Sequence, residues 1–182
     1  SNINTEDDEK DERDKTYAIN LQIAELAAKS SPRFRTPAKM ALDLLRSQKC
    51  PDTVAYNSVL KALAKTSSSY NKKAAVLANN LLEEMEEIYF IQHEENKKWY
   101  ERVDRDELEE TEISRGAPQI KVKPNFRTYS TAMDAWARQN IPTGAQKAQD
   151  LLNDLIDLYD QTGDVALQPN VISYNTVING WA

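Results

Sequence analysis

PNVISYNTVINGWA, residues 169–182, decides how the rest of the chain is read, because it is the third version of one pattern. PDTVAYNSVLKALAK begins at Pro51 and PNFRTYSTAMDAWAR at Pro124. Each opens with Pro, then Asp or Asn, three further residues, Tyr, and Asn or Ser. Apolar residues follow at helical spacing, as in Tyr56, Val59, Leu60 and Leu63 or Tyr129, Ala132, Met133 and Trp136. A second pattern alternates with the first: AKMALDLL from Ala38, AVLANNLL from Ala75 and AQKAQDLL from Ala145. All three read A-x-x-A-x-x-L-L, a helix whose small face admits a close neighbour and whose leucines seal the contact.

The unit is therefore helix A, loop, helix B, turn. Loop signals fall before each helix B, in SSPRFRTP, TSSSYN and QNIPTG, and Thr36 before Pro37 reads as a cap followed by a first-turn proline. One such hairpin cannot bury its apolar face alone, so the units are expected to stack. The last helix A ends at Trp181-Ala182, and on this reading the chain is a piece of a longer array.

Spacing is uneven. Pro51 to Pro124 is 73 residues and Pro124 to Pro169 is 45, against about 35 for a bare two-helix unit. Both excesses lie between a leucine pair and the next Pro-Asp/Asn. The larger one is expected to extend helix B and then loop out, leaving the stack intact. Units are accordingly placed at about 16–52, 53–125 with an insertion around 86–120, 126–170 and a truncated 171–182, behind an acidic disordered tail, 1–15.

The formal charge is −6, from 23 Lys+Arg and 29 Asp+Glu, but its distribution says more than its sum. Residues 83–112 hold thirteen acids and four bases, whereas residues 15–82 hold eleven bases and three acids. An acidic total argues against general phosphate binding, while the basic first half leaves room for a local basic surface. No apolar run reaches the roughly 18 residues of a membrane span. The single cysteine, Cys50, excludes an internal disulfide and fits a reducing compartment. Residues 1–14 lack the apolar segment of a signal peptide. The acid-rich stretch 83–112 lacks a calcium-loop spacing, His93 has no triad partner nearby, and no Gly-rich phosphate loop occurs. These features imply no metal, no cofactor and no enzyme.

The Pro-Asp/Asn-x-x-x-Tyr-Asn/Ser openings and the A-x-x-A-x-x-L-L helices resemble pentatricopeptide repeats, over roughly residues 16–182 apart from the insertion. The resemblance implies an all-α fold, a right-handed α-solenoid of stacked helix-turn-helix hairpins. It implies single-stranded RNA as partner, about one base per repeat, in RNA processing, stability or translation in a mitochondrion or chloroplast. In that family the base edge is read by the residue after the Tyr and by the last residue of the same repeat. Carried over, Asn57 pairs with Asn125, Ser130 pairs with Asn170, and Asn175 stands without its partner. The first pair implies a pyrimidine, cytosine before uracil, and the second adenine, so the chain would read 5′-pyrimidine-adenine-3′. Asp52 closes the first unit, whose reading residue is Asn20, Leu21 or Gln22. Val54, Arg127 and Ile172 would flank the bases, with Arg127 departing from the usual apolar choice. Lys65 and Arg138 would meet phosphates.

Each of these residues has a plainer reading. Pro-Asp/Asn is ordinary turn chemistry, Asn and Ser near helix starts bond backbone, and Tyr56, Tyr129, Tyr174, Trp136 and Trp181 read as core. The rival function is a protein-binding scaffold of the tetratricopeptide kind, with protein partners met through the acidic insertion.

Overall fold

The computed structural model describes the backbone of residues 3–182 and the side chains of Lys10 and residues 12–182. Eight α-helices follow one another: α1 (Ile3–Lys29), α2 (Thr36–Ser47), α3 (Thr53–Thr66), α4 (Lys72–Asp104), α5 (Glu110–Arg115), α6 (Phe126–Ala137), α7 (Pro142–Thr162) and α8 (Val171–Trp181). A single 3-10 turn, Val165–Leu167, precedes α8. No β-strand occurs among the described residues, and no helix of theirs is long and apolar enough to cross a membrane.

Both sequence patterns become helices. The alanines of the second pattern are all buried: Ala38 and Ala41 in α2, Ala75 and Ala78 in α4, Ala145 and Ala148 in α7. Leu45, Leu81, Leu82, Leu151 and Leu152 close the contacts beside them. The small side chains allow close approach of backbones and the leucines supply the apolar area. Packing follows a strict order. Helices α1, α3, α6 and α8 touch in succession, while α2, α4 and α7 each touch the row helix before and the row helix after them. One core cluster runs from Ile23 and Leu45 through Tyr56, Leu60, Leu81 and Met85 to Val122. A second joins Leu82 to Tyr129, Met133, Leu152, Leu155, Leu167 and Val177. Because Leu81 and Leu82 of α4 belong to different clusters, that helix fastens the two together.

The insertion has a defined path. Helix α4 continues to Asp104, α5 follows, and the chain returns in extended form to Asn125. The Gln92 amide oxygen accepts from the backbone N–H groups of Lys121 (2.9 Å) and Val122 (3.2 Å). Asn96 donates to the Pro118 carbonyl at 2.8 Å. At the far end Thr53 N–H donates to the Lys121 carbonyl (3.1 Å) and Lys123 N–H donates to the Thr53 hydroxyl (2.8 Å). Val122 is thereby held in the core at 2% exposure. The shorter excursion before α8 is tied to this one by Lys123 Nζ and Asp164, 2.7 Å apart.

Three local expectations are corrected. Of the stretch 1–15 read as a disordered tail, residues 3–15 belong to α1, and residues 1–2 lie outside the described residues. Glu, Lys and Arg are good helix formers and neither Gly nor Pro interrupts 3–29, so acidity gives a solvated helix here: Lys10 and residues 12–15 are exposed. Thr36 is the first helical residue of α2 and does not cap it; Arg35 occupies the cap position without a side-chain bond. Tyr174 and Trp181, read as core, are 46% and 52% exposed. Helix α8 packs chiefly on α6 and α7, and the apolar residues on its other face, Val171, Ile172 and Ile178 with Tyr174 and Trp181, are exposed.

Candidate nucleic-acid interface

The Pro-Asp/Asn residues are helix caps, as turn chemistry alone requires. Asp52, Asn125 and Asn170 all take extended backbone and precede α3, α6 and α8. Asp52 Oδ1 accepts from Ala55 N–H at 2.9 Å. Asn125 Oδ1 accepts from the N–H groups of Arg127 and Thr128 at 3.0 and 3.2 Å, and Asn170 Oδ1 from those of Ile172 and Ser173 at 2.9 and 3.3 Å. Each cap satisfies N–H groups that the helix cannot.

The starts of these helices also face the preceding row helix, where Asn20, Asn57 and Ser130 stand. Asn20 Nδ2 donates to both oxygens of Asp52, at 3.1 and 3.0 Å. Thr128 Oγ1 bridges the next pair, 2.9 Å from Asn57 Oδ1 and 3.3 Å from Asn125 Oδ1. In the third, Ser130 Oγ lies 3.0 Å from Ser173 Oγ, whose backbone N–H is held by Asn170. A polar contact therefore recurs at three successive row contacts: direct in the first, bridged by the Thr128 hydroxyl in the second, and in the third made by Ser130 to Ser173, whose backbone N–H, not its hydroxyl, is held by Asn170. The insertion does not disturb it: Thr128 and Asn57 meet across 71 residues of sequence.

Of the three residues left open in the first unit, Asn20 is the one that hydrogen-bonds Asp52. A signal for it was present in the sequence. Three and seven residues beyond Asn20 are Ile23 and Ala27, both buried, as Leu60 and Ala64 are beyond Asn57. From Leu21 or Gln22 the same steps reach Ala24 and Ala28 or Glu25 and Lys29, all exposed. This register adds Tyr17 to the row of Val54, Arg127 and Ile172. All four are exposed; Tyr17 is 72% so, and Arg127 lies over the Phe126 ring at 5.9 Å. Thr128 and Ser173 were missed as well, although N-x-x-T and N-x-x-S at a helix start have the form of a capping box. Gln48 is the other addition: its Nε2 donates to Asn20 Oδ1 at 3.1 Å, and its buried Oε1 has no hydrogen-bond partner among the described residues.

The remaining positions are less open. Ser130 is buried at 7% exposure, Asn57 is half-buried, and Asn175 is exposed in α8. Lys65 Nζ donates to the carbonyls of Ala27 (3.1 Å) and Ala28 (3.4 Å), neutralising the carbonyl end of α1. Arg138 is paired with Asp134 at 2.7 Å on the surface of α6. Neither cation stands free, though an ammonium bound to two carbonyls keeps a third proton for another acceptor.

Behind the pairs lie the tyrosines, and two of the three are core. Tyr56 and Tyr129 are each 2% exposed. Burial, with Glu84 beside one and Glu86 beside the other, pushes both phenols well above their ordinary range. Tyr56 donates to Glu84 at 2.6 Å and Tyr129 donates to Glu86. Trp136 is half-buried and donates its indole N–H to Asn79 at 3.2 Å. Among the described residues no cluster of three His, Cys, Asp or Glu could hold a metal ion, and Cys50 is exposed as a free thiol. Compared with known proteins, the chain matches no family model, no curated protein and no solved structure.

Proposed function

We propose that this chain is a right-handed α-solenoid of pentatricopeptide-like hairpins that binds single-stranded RNA, about one base per unit. The observation that carries the reading is the polar contact at each successive row junction: Asn20 with Asp52, Asn57 with Asn125 through Thr128, and Ser130 with Ser173 beside the cap Asn170. Packing alone gives no reason for it. A cap needs only a backbone N–H, and a helix contact is better filled by apolar groups than by an amide that must find partners. Exposed Tyr17, Val54, Arg127 and Ile172 flank these pairs as surfaces on which bases can stack. The family resemblance adds the setting: an adaptor in organelle RNA processing, stability or translation, reading RNA without cutting it.

With Lys65 bound to two carbonyls and Arg138 paired with Asp134, binding rests mainly on stacking and base edges. Three units at about 1–3 kcal/mol per stacked base leave, after the costs of association, an affinity near millimolar. The test is therefore an NMR titration of the 182-residue chain with short RNA oligonucleotides, alongside DNA of the same sequence and a sulfated polysaccharide. Saturable shifts at the side chains of Asn20, Asn57 and Ser130, with RNA alone, are the expected result. Shifts elsewhere, equal response to any polyanion, or no response at millimolar RNA would overturn it, and the protein-scaffold reading would then stand.

A further inference from the structure

Thr128 holds a hydroxyl whose hydrogen bonds can be assigned one by one. Its oxygen accepts from the Asn125 backbone N–H at 3.1 Å, so its single proton is left to donate. Two oxygens lie in reach, Asn125 Oδ1 at 3.3 Å and Asn57 Oδ1 at 2.9 Å. Asn125 Oδ1 already accepts from two backbone N–H groups, and the nearer Asn57 oxygen takes the proton. The orientation of an amide follows from its hydrogen-bond network, and here the shorter distance and the less occupied acceptor both favour the Asn57 carbonyl facing Thr128. Asn57 turns its carbonyl inward to Thr128 and its amino group outward, and no hydrogen bond among the described residues engages that amino group. The first contact is built differently. Ala55 stands where Thr128 does, and Asn20 is held at both ends, its amino group on Asp52 and its oxygen on Gln48.

We infer that Thr128 is a positioning residue for base selection, turning Asn57 into a fixed hydrogen-bond donor. The inference rests on the base-reading role proposed above and adds the group that decides which face of the amide is shown. A donor meets the ring N3 of cytosine, which accepts, and opposes that of uracil, which carries a proton. Without the hydroxyl the amide is free to flip, and the distinction between the two pyrimidines fades.

The experiment uses the full chain with 5′-ACAA-3′ and 5′-AUAA-3′ RNA, following the Asn57 side-chain amide by NMR. Wild type is expected to favour the cytosine oligonucleotide about fivefold, the worth of one hydrogen bond. Thr128→Val, of similar volume, brings the ratio to near one, and Thr128→Ser restores it. Asn57→Asp replaces the outward donor by an acceptor and shifts preference to uracil. A ratio that stays near fivefold in Thr128→Val sinks the inference while leaving RNA binding in place, as does equal binding of both oligonucleotides by wild type. No binding of either overturns the base reading and this inference with it. Should Thr128→Val fail to fold, Asn57→Asp decides: an undiminished cytosine preference there rejects the assigned orientation.

Discussion

From Leu45 to Pro51 the chain passes between α2 and α3 almost directly, whereas from Leu82 to Pro124 it travels through the end of α4, α5 and an extended return. The two junctions nevertheless deliver an acid or amide cap to the same place, beside Asn20 or Asn57 on the preceding row helix. Loop length therefore does not set the geometry. What sets it is the packing of one row helix on the next, with the cap attached to the incoming helix. The long excursion costs little closure entropy beyond the short one, and its end is fixed by Gln92 and Thr53.

If packing governs both junctions, removing a leucine from either should cost about the same. Leu45→Ala and Leu82→Ala, each at 1% exposure in wild type, are expected to lose about 2–5 kcal/mol in denaturant unfolding. A much smaller loss for Leu82 would mean that the inserted junction is loosely packed and that the pairing of Asn57 with Asn125 has another cause.

Gln92 has no counterpart in the short junction, and it sharpens the contrast. Gln92→Ala leaves the Lys121 and Val122 N–H groups without their acceptor. Lys121 is exposed and water can replace the bond, so the cost falls mainly on the N–H of buried Val122, about 1 kcal/mol. Hydrogen exchange at Val122 should quicken in the variant while exchange within α3 and α6 stays unchanged. Faster exchange throughout α6 would show that the return segment holds that helix in place.

The two junctions also differ in how much of them could be read from residues. The helices, their buried alanines and the three caps follow from periodicity and turn chemistry, both local. The register of α1 was less plain because Ile19 replaces the tyrosine that marks the other units, although the buried positions of Ile23 and Ala27 encode it. The partners of Lys65 were not legible because they are the backbone carbonyls of Ala27 and Ala28, which no side-chain pattern announces. The exposure of Tyr174 and Trp181 was illegible for a simpler reason: an apolar stripe states that a face wants covering, not that this chain covers it. The path of the insertion depends on Gln92, Asn96 and Thr53, too few residues to form a pattern.

Charge supplies the finest difference. Arg46 follows the leucine pair of α2, and Glu83 follows that of α4. Glu84, which receives the Tyr56 hydroxyl, has Arg46 as its ion-pair partner at 2.5 Å. Burial raises its carboxyl, but the guanidinium and the phenol outweigh this and hold it below its ordinary value. Glu86, which receives the Tyr129 hydroxyl, has no such cation among the described residues. Burial raises it, the phenol opposes, and Asp154 and Glu83 add to the rise. The signs for stability follow. A depressed carboxylate favours the folded state above its unfolded pKa and loses that contribution as pH falls through the folded value; a raised one penalises the folded state above that value and is relieved as pH falls. At pH 7, Glu84→Gln should lower the thermal midpoint, by no more than about 1 kcal/mol in equivalent free energy for so exposed a pair. Glu86→Gln should raise it, since the amide keeps an acceptor for Tyr129 and discards the buried charge. On acidification the Glu86 difference should fade first, because its folded pKa is the higher, and the Glu84 difference should outlast it to below about pH 4. Thermal melts of both variants between pH 3 and pH 7 check the order. Equal signs at pH 7 would show that both glutamates are held by the phenols alone, with Arg46 and Glu83 too well solvated to distinguish the junctions.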